Sequence, residues 1–159
     1  MHKYSHFNHP LIDESIKNSV LKQLSEDISI YDNGGIYNEI ESKLKELFPT
    51  EYILTVSNGT SSLLSLFFGA GINPGDIVLV PAYTFFATAT PLFMLGAVPI
   101  LVDAGEDGNM SPEALRQTLD EVRGVKAVVI THMWGIPCDL ESISQICNEY
   151  DVLLLEDSS

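Results

Sequence analysis

Five short runs of branched apolar residues, separated by helical patterns, constrain this chain more than any other feature. The runs are Tyr52–Val56, Ile77–Val80, Pro99–Val102, Ala127–Ile130 and Val152–Leu155. Val, Ile and Leu crowd them without the polar alternation of a half-exposed strand. They therefore predict strands buried on both faces. Between them lie helical segments at roughly Thr60–Phe68, Phe85–Leu95, Pro112–Val122 and Leu140–Tyr150. Ser111 ahead of Pro112 supplies a capping hydroxyl and a pre-set φ, and Asp139 can cap the last helix in the same way. Pro91 should kink or split the helix it sits in. Strands alternating with helices predict an α/β domain, with a mostly parallel sheet and helices on both faces.

The first 48 residues read differently. Ile12, Ile16, Val20 and Leu24 recur every fourth residue, which predicts an amphipathic helix over Leu11–Ile30. Pro10 just before it, with Asp13 and Glu14 near its start, suits a helix N-terminus. Asn33, Gly34 and Gly35 break the chain. A second helix is expected from Ile36 to Phe48, with Ile36, Ile40, Leu44 and Leu47 on one face and Pro49 ending it.

Charge and composition exclude several function classes. The net charge of −14 opposes nucleic acid and anionic membrane surfaces. An anionic ligand would need a local device such as the amides of a helix start. No apolar run reaches the ~18–20 residues of a membrane span, and the polar start lacks a signal-peptide core. Cys138 and Cys147 lack metal spacing and read as reduced thiols, with Cys147 packed on a helix face. His2, His6 and His9 cluster near the start with no supporting ligand pattern, so no metal site is expected. A cytoplasmic setting follows.

In open parallel sheets ligands bind beyond the carboxyl ends of the strands. Ser57–Ser62 follows the first run and opens a helix; it is either an anion cradle or simply a well-capped helix start. It is not a P-loop, because the lysine and glycine spacing are absent. Pro81–Phe86 follows the second run, where one of Phe85 and Phe86 could stack on a flat heterocycle or both could be core. His132 could be a cleft wall, a proton carrier or a satisfied structural histidine, and Trp134 beside it could line a pocket or cover the sheet edge. Glu156 and Asp157 end the last run, where a carboxylate can pair with a cationic ring nitrogen, bind a metal or cap a helix. Each feature is weak alone. Their common placement at strand ends points to one crevice.

Taken in order, these motifs resemble a known family. They are SNGTSSL from Ser57, GINPGDIVLVPAYTFFATA from Gly71, LGAVPILVD from Leu95, THMWGIPCDL from Thr131 and LLLEDSS from Leu153. Together they are similar to the DegT/DnrJ/StrS family of pyridoxal 5'-phosphate (PLP) dependent sugar aminotransferases, of aspartate-aminotransferase fold type I. The resemblance implies that Thr60 and Ser61 bind the cofactor phosphate. It implies that Phe85 stacks on the pyridine ring and that Asp157 pairs with the ring nitrogen. It further implies amino transfer, often from glutamate, to a keto sugar that is typically nucleotide-linked, in a homodimer. On that footing residues 1–48 are an N-terminal helical segment and 49–159 a partial PLP-binding large domain.

The resemblance also implies a Schiff-base lysine, and none of Lys3, Lys17, Lys22, Lys43, Lys45 and Lys126 matches its position. No catalytic residue is assigned in this chain. The expectation is a fragment, with later strands and a small C-terminal domain absent, inactive alone and unable to form a stable lysine adduct with PLP. Two other readings stay open: a PLP-dependent sugar dehydratase of the same fold, and a non-catalytic binding or regulatory remnant.

Overall fold

The computed structural model describes residues 12–26, 31 and 34–158. The group His2, His6 and His9, the outer ends of the first predicted helix, Asn33 and Ser159 lie outside the described residues. Four of the five predicted runs are strands: β1 (Ile77–Pro81), β2 (Val98–Val102), β3 (Val125–Thr131) and β4 (Leu153–Asp157). All pair in parallel, in the order β2-β1-β3-β4. Glu156 and Asp157 belong to β4 itself rather than to the loop beyond it.

The fifth run is a correction. Tyr52–Val56 joins no ladder, and Tyr52 and Leu54 are exposed. Branched apolar composition favours a strand, but a strand exists only when its backbone groups find partners. No described strand offers them.

Burial on both faces holds for the central strands. Along β1, Val78 and Val80 enter one hydrophobic cluster while Leu79 enters another. Along β3, Ala127 and Val129 join the first of these, and Val128 and Ile130 the second. The two-residue period of a strand sends alternate side chains to opposite faces. Helix α3 (Gly59–Gly69) fills the first cluster with Leu63 and Phe67, and α4 (Thr90–Met94) with Leu92. Helices α5 (Pro112–Glu121) and α6 (Leu140–Glu149) fill the second with Leu115, Leu119, Ile143, Ile146 and Cys147.

The helix starts follow local chemistry. Ser111 Oγ accepts from Ala114 N–H at 3.2 Å, and Asp139 Oδ1 accepts from Ser142 N–H at 3.1 Å. Pro91 splits its helix as expected, leaving a single turn at Phe86–Thr88 ahead of the short α4.

Strand order and helix placement are linked. From β1 to β2 the chain steps one way across the sheet; from β2 to β3 it crosses β1 and continues the other way to β4. Right-handed crossovers in opposite directions put their helices on opposite faces. Hence α4 lies on one face and α5 and α6 on the other. The direction changes between β1 and β3, which is where a crevice opens at the carboxyl ends.

Chain contacts divide the molecule into two units, Met1–Thr55 and Val56–Ser159, the sheet lying in the second. The first contains α1 (Glu14–Leu24), capped by Asp13 accepting from Ile16 N–H, and α2 (Ile36–Leu47). Its described residues build no apolar core. Ile12, Ile16, Val20 and Leu24 are all exposed. The buried residue there is Glu41, which accepts from Thr55 N–H at 2.9 Å and Thr55 Oγ–H at 3.0 Å. No helix among the described residues is long and apolar enough to cross a membrane.

Candidate cofactor site at the strand ends

A cleft of about 280 Å³ opens where the sheet order predicts it. Thr84, Phe85 and Thr88 line it from the segment after β1, Thr131 through Gly135 from the end of β3, and Asp157 from the end of β4. A smaller cleft of about 130 Å³ shares Asp157 and is lined also by Gly59, Ser62, Leu63 and Leu66 of α3. Asp157 is thus common to both.

Asp157 is only 8% exposed. Its Oδ2 accepts from Thr88 Oγ–H at 2.9 Å, and Thr88 Oγ1 lies 2.9 Å from Thr84 Oγ1. Thr88 has one hydroxyl hydrogen, and an ionised carboxylate only accepts. The hydrogen bonds therefore run from Thr84 to Thr88 to Asp157. Thr84 sits in the bend after β1 and Thr88 ends the single turn Phe86–Thr88, with the extended Phe85 between, so the turn brings the two hydroxyls together. The sequence alone did not show Thr88 as a partner of Asp157, which is 69 residues away.

Phe85 lines the cleft and is 65% exposed. Phe86 does not line it, yet the two rings pack tilted with centroids 4.3 Å apart. Neither is core. Thr60 and Ser61 line neither cleft. Ser61 N–H is taken by the capping Asn58 Oδ1 at 2.8 Å, and Ser61 Oγ lies 3.4 Å from Ser57 Oγ. The Gly59 and Thr60 amides have no hydrogen-bond partner among the described residues. These are the groups a helix start offers an anion.

His132 has both ring nitrogens engaged. Nδ1 accepts from Cys138 N–H at 3.1 Å, and Nε2 lies 3.3 Å from Glu156 Oε2. Cys138 in turn donates its thiol hydrogen to Thr131 C=O. Burial, with a smaller contribution from the charge of Asp107, pushes the Cys138 thiol above its ordinary value. A raised thiol is a poor nucleophile. Thr131 Oγ1 is buried beside the cleft without a hydrogen-bond partner in the described structure. A buried hydroxyl in the cleft lining suits a hydrogen bond to a polar ligand atom or water.

The donor set fits PLP. A buried carboxylate suits a cationic ring nitrogen, an exposed aromatic suits a ring face, and unpaired amides at a helix start suit a phosphate. No described lysine lines either cleft.

Comparison with known proteins gives the family. The chain is 37% identical over 124 residues to Protein MosB of Rhizobium meliloti, covering 77% of this chain and 24% of that protein. It is 33% identical over 129 residues to GDP-perosamine synthase of Escherichia coli O157:H7, covering 80% of this chain and 35% of that protein. Among solved structures, 3-amino-5-hydroxybenzoic acid synthase superposes with a TM-score of 0.85 at 28% identity, over 93% of this chain and 38% of that one. The chain spans 24% to 41% of the curated relatives it matches. The model of one family, of PLP-dependent aminotransferases, matches residues 10–159. The α/β fold with its parallel sheet, the strand-end clefts and that match agree: this chain belongs to the DegT/DnrJ/EryC1/StrS aminotransferase family.

Proposed function

We propose that this chain supplies cofactor-holding residues of a PLP-dependent aminotransferase acting on a keto sugar, typically nucleotide-linked, with glutamate as amino donor. The observation that carries the reading is Asp157, a buried carboxylate shared by two clefts and held by Thr88. PLP, when bound, supplies an electron sink for breaking bonds at the amino-bearing carbon. The residues of this chain do the rest of the holding. Asp157 would keep a proton on the ring nitrogen. Phe85 would cover one ring face and exclude water. Gly59 and Thr60 would offer amides to the phosphate, with the Thr60 and Ser61 hydroxyls beside them. GDP-perosamine synthase among the relatives supports a nucleotide-linked sugar as the substrate class.

The lysines described here lie outside both clefts, so these residues bind and orient the cofactor and do not bond to it covalently. Alone, the chain should retain PLP weakly and without a stable lysine adduct. A homodimer is the assembly this reading favours.

Equilibrium dialysis with PLP tests the proposal. A charge-assisted hydrogen bond contributes about 1.5–3 kcal/mol. Asp157→Asn, which keeps shape and removes the charge, should therefore weaken retention by roughly ten- to a hundredfold. Equal retention by the wild-type and Asp157→Asn chains would sink the reading. So would stoichiometric capture of PLP by borohydride, since that requires a lysine in the site.

A further inference from the structure

Asn109 is 1% exposed, lines neither cleft, and ties the β2–α5 segment to the turn after β3. Its backbone N–H donates to Asp107 Oδ1 at 3.1 Å, and its Nδ2 donates to Asp107 Oδ2 at 3.0 Å. The same Nδ2 donates to Ile136 C=O at 3.2 Å, while Oδ1 accepts from Met133 N–H at 3.0 Å. One side-chain amide thus grips both ends of the turn that carries Trp134. That turn is strained. Trp134 has φ 52°, in the left-handed region that bulky residues rarely occupy.

Strain of this kind costs about 1–3 kcal/mol and persists only where the surroundings over-determine it. Here Asn109 does so, and the result is a large ring kept out of the core. Trp134 is 73% exposed and lines the main cleft. Its ring meets Tyr83 edge-on, with centroids 5.6 Å apart. Both rings close over Gly108, where an added Cβ would stand 3.5 Å from Tyr83 and 3.7 Å from Trp134. The β2–α5 segment therefore braces an aromatic rim formed by the segments after β1 and β3.

We propose that Asn109 is a positioning residue, which holds Trp134 in a strained conformation as the aromatic wall of the ligand cleft. The brace is a property of the free chain; only its effect on ligand rests on the proposed function. Trp134 is the sole tryptophan, so its emission reports on the wall directly.

The experiment compares Asn109→Ala, the double variant Asp107→Asn/Asn109→Asp, Leu119→Ala as a core control, and the wild type. Steady-state anisotropy and acrylamide quenching of Trp134 are read without ligand, and PLP retention is read by equilibrium dialysis. Asn109→Ala should lower the anisotropy and weaken PLP retention three- to tenfold, with only a small rise in quenching because the ring is already exposed. Leu119→Ala should lower the melting temperature and leave the Trp134 signals at wild-type values. The double variant rebuilds an amide–carboxylate pair of reversed polarity and keeps the acceptor for Met133 N–H, but loses the donor to Ile136 C=O, so it restores one of the two grips. It should return the anisotropy part of the way to wild type, which keeps the test decisive if Asn109→Ala fails to fold. Unchanged Trp134 signals in Asn109→Ala, equal changes in Leu119→Ala, or no recovery in the double variant would overturn the proposal. Absence of PLP retention in every chain, wild type included, counts against the cofactor reading, while the brace is then decided by the ligand-free signals.

Discussion

At the scale of single residues, Thr88 and Cys147 show how burial sets behaviour. Thr88 is 1% exposed and gives its hydroxyl hydrogen to Asp157. Thr88→Val keeps the shape and removes that donor from a buried carboxylate, which costs about 1–3 kcal/mol. Urea denaturation should show that loss, and Thr88→Ser should recover most of it. Cys147 sits in the α5–α6 core, and burial pushes its thiol from 9.0 up to about 11. Between those values the unfolded chain releases the proton and the folded chain keeps it. Stability present below pH 9 is therefore lost as pH rises towards 11. Tyr150, held above its ordinary value by its hydrogen bond to Asp120, adds to the same alkaline limb. Cys147→Val should flatten that limb relative to wild type in denaturation at the two ends of the window. The packed thiol of Cys147 was legible in the sequence because it lies on an apolar helical face. The partnership of Thr88 was not, because nothing local links Thr88 to Asp157.

At the scale of elements, legibility tracks how local the controlling interaction is. The starts of α5 and α6 were readable because Ser111 and Asp139 bond to amides three residues ahead. The split at Pro91 was readable because proline's effect is confined to its own turn. Removing the α5 cap with Ser111→Ala should cost about 1 kcal/mol, measured as a lower urea midpoint, whereas Ser111→Asp should hold it. Tyr52–Val56 failed for the opposite reason. Its composition is that of a strand, but pairing is supplied by a neighbour that the composition does not name. The strand-end clefts were legible as a location, because four loops had to meet there. Which α3 residues reach a cleft was not: Gly59 and Ser62 do, and Thr60 and Ser61 between them do not.

At the scale of the whole molecule, hydrophobic burial is unevenly spread. Both clusters lie within the second unit, from Leu63 to Leu155. Helix α1 has no buried residue, although its four-residue stripe was plain in the sequence. A period shows that a face exists and says nothing of what covers it. Leu115→Ala, at a fully buried position, should cost about 2–5 kcal/mol in urea denaturation. The exposed pair Leu21→Ser and Leu24→Ser should stay within about 0.5 kcal/mol and reduce binding of a hydrophobic dye. The order β2-β1-β3-β4 also has a consequence for how the molecule is made. As the chain leaves the ribosome, β2 finds β1 already present, β3 adds to the other side of β1, and β4 adds to β3. No ladder waits for a strand synthesised later than its own two members, and each new strand lands on a finished edge. Vectorial synthesis at about 5–20 residues per second can therefore lay the sheet down strand by strand, always from a template.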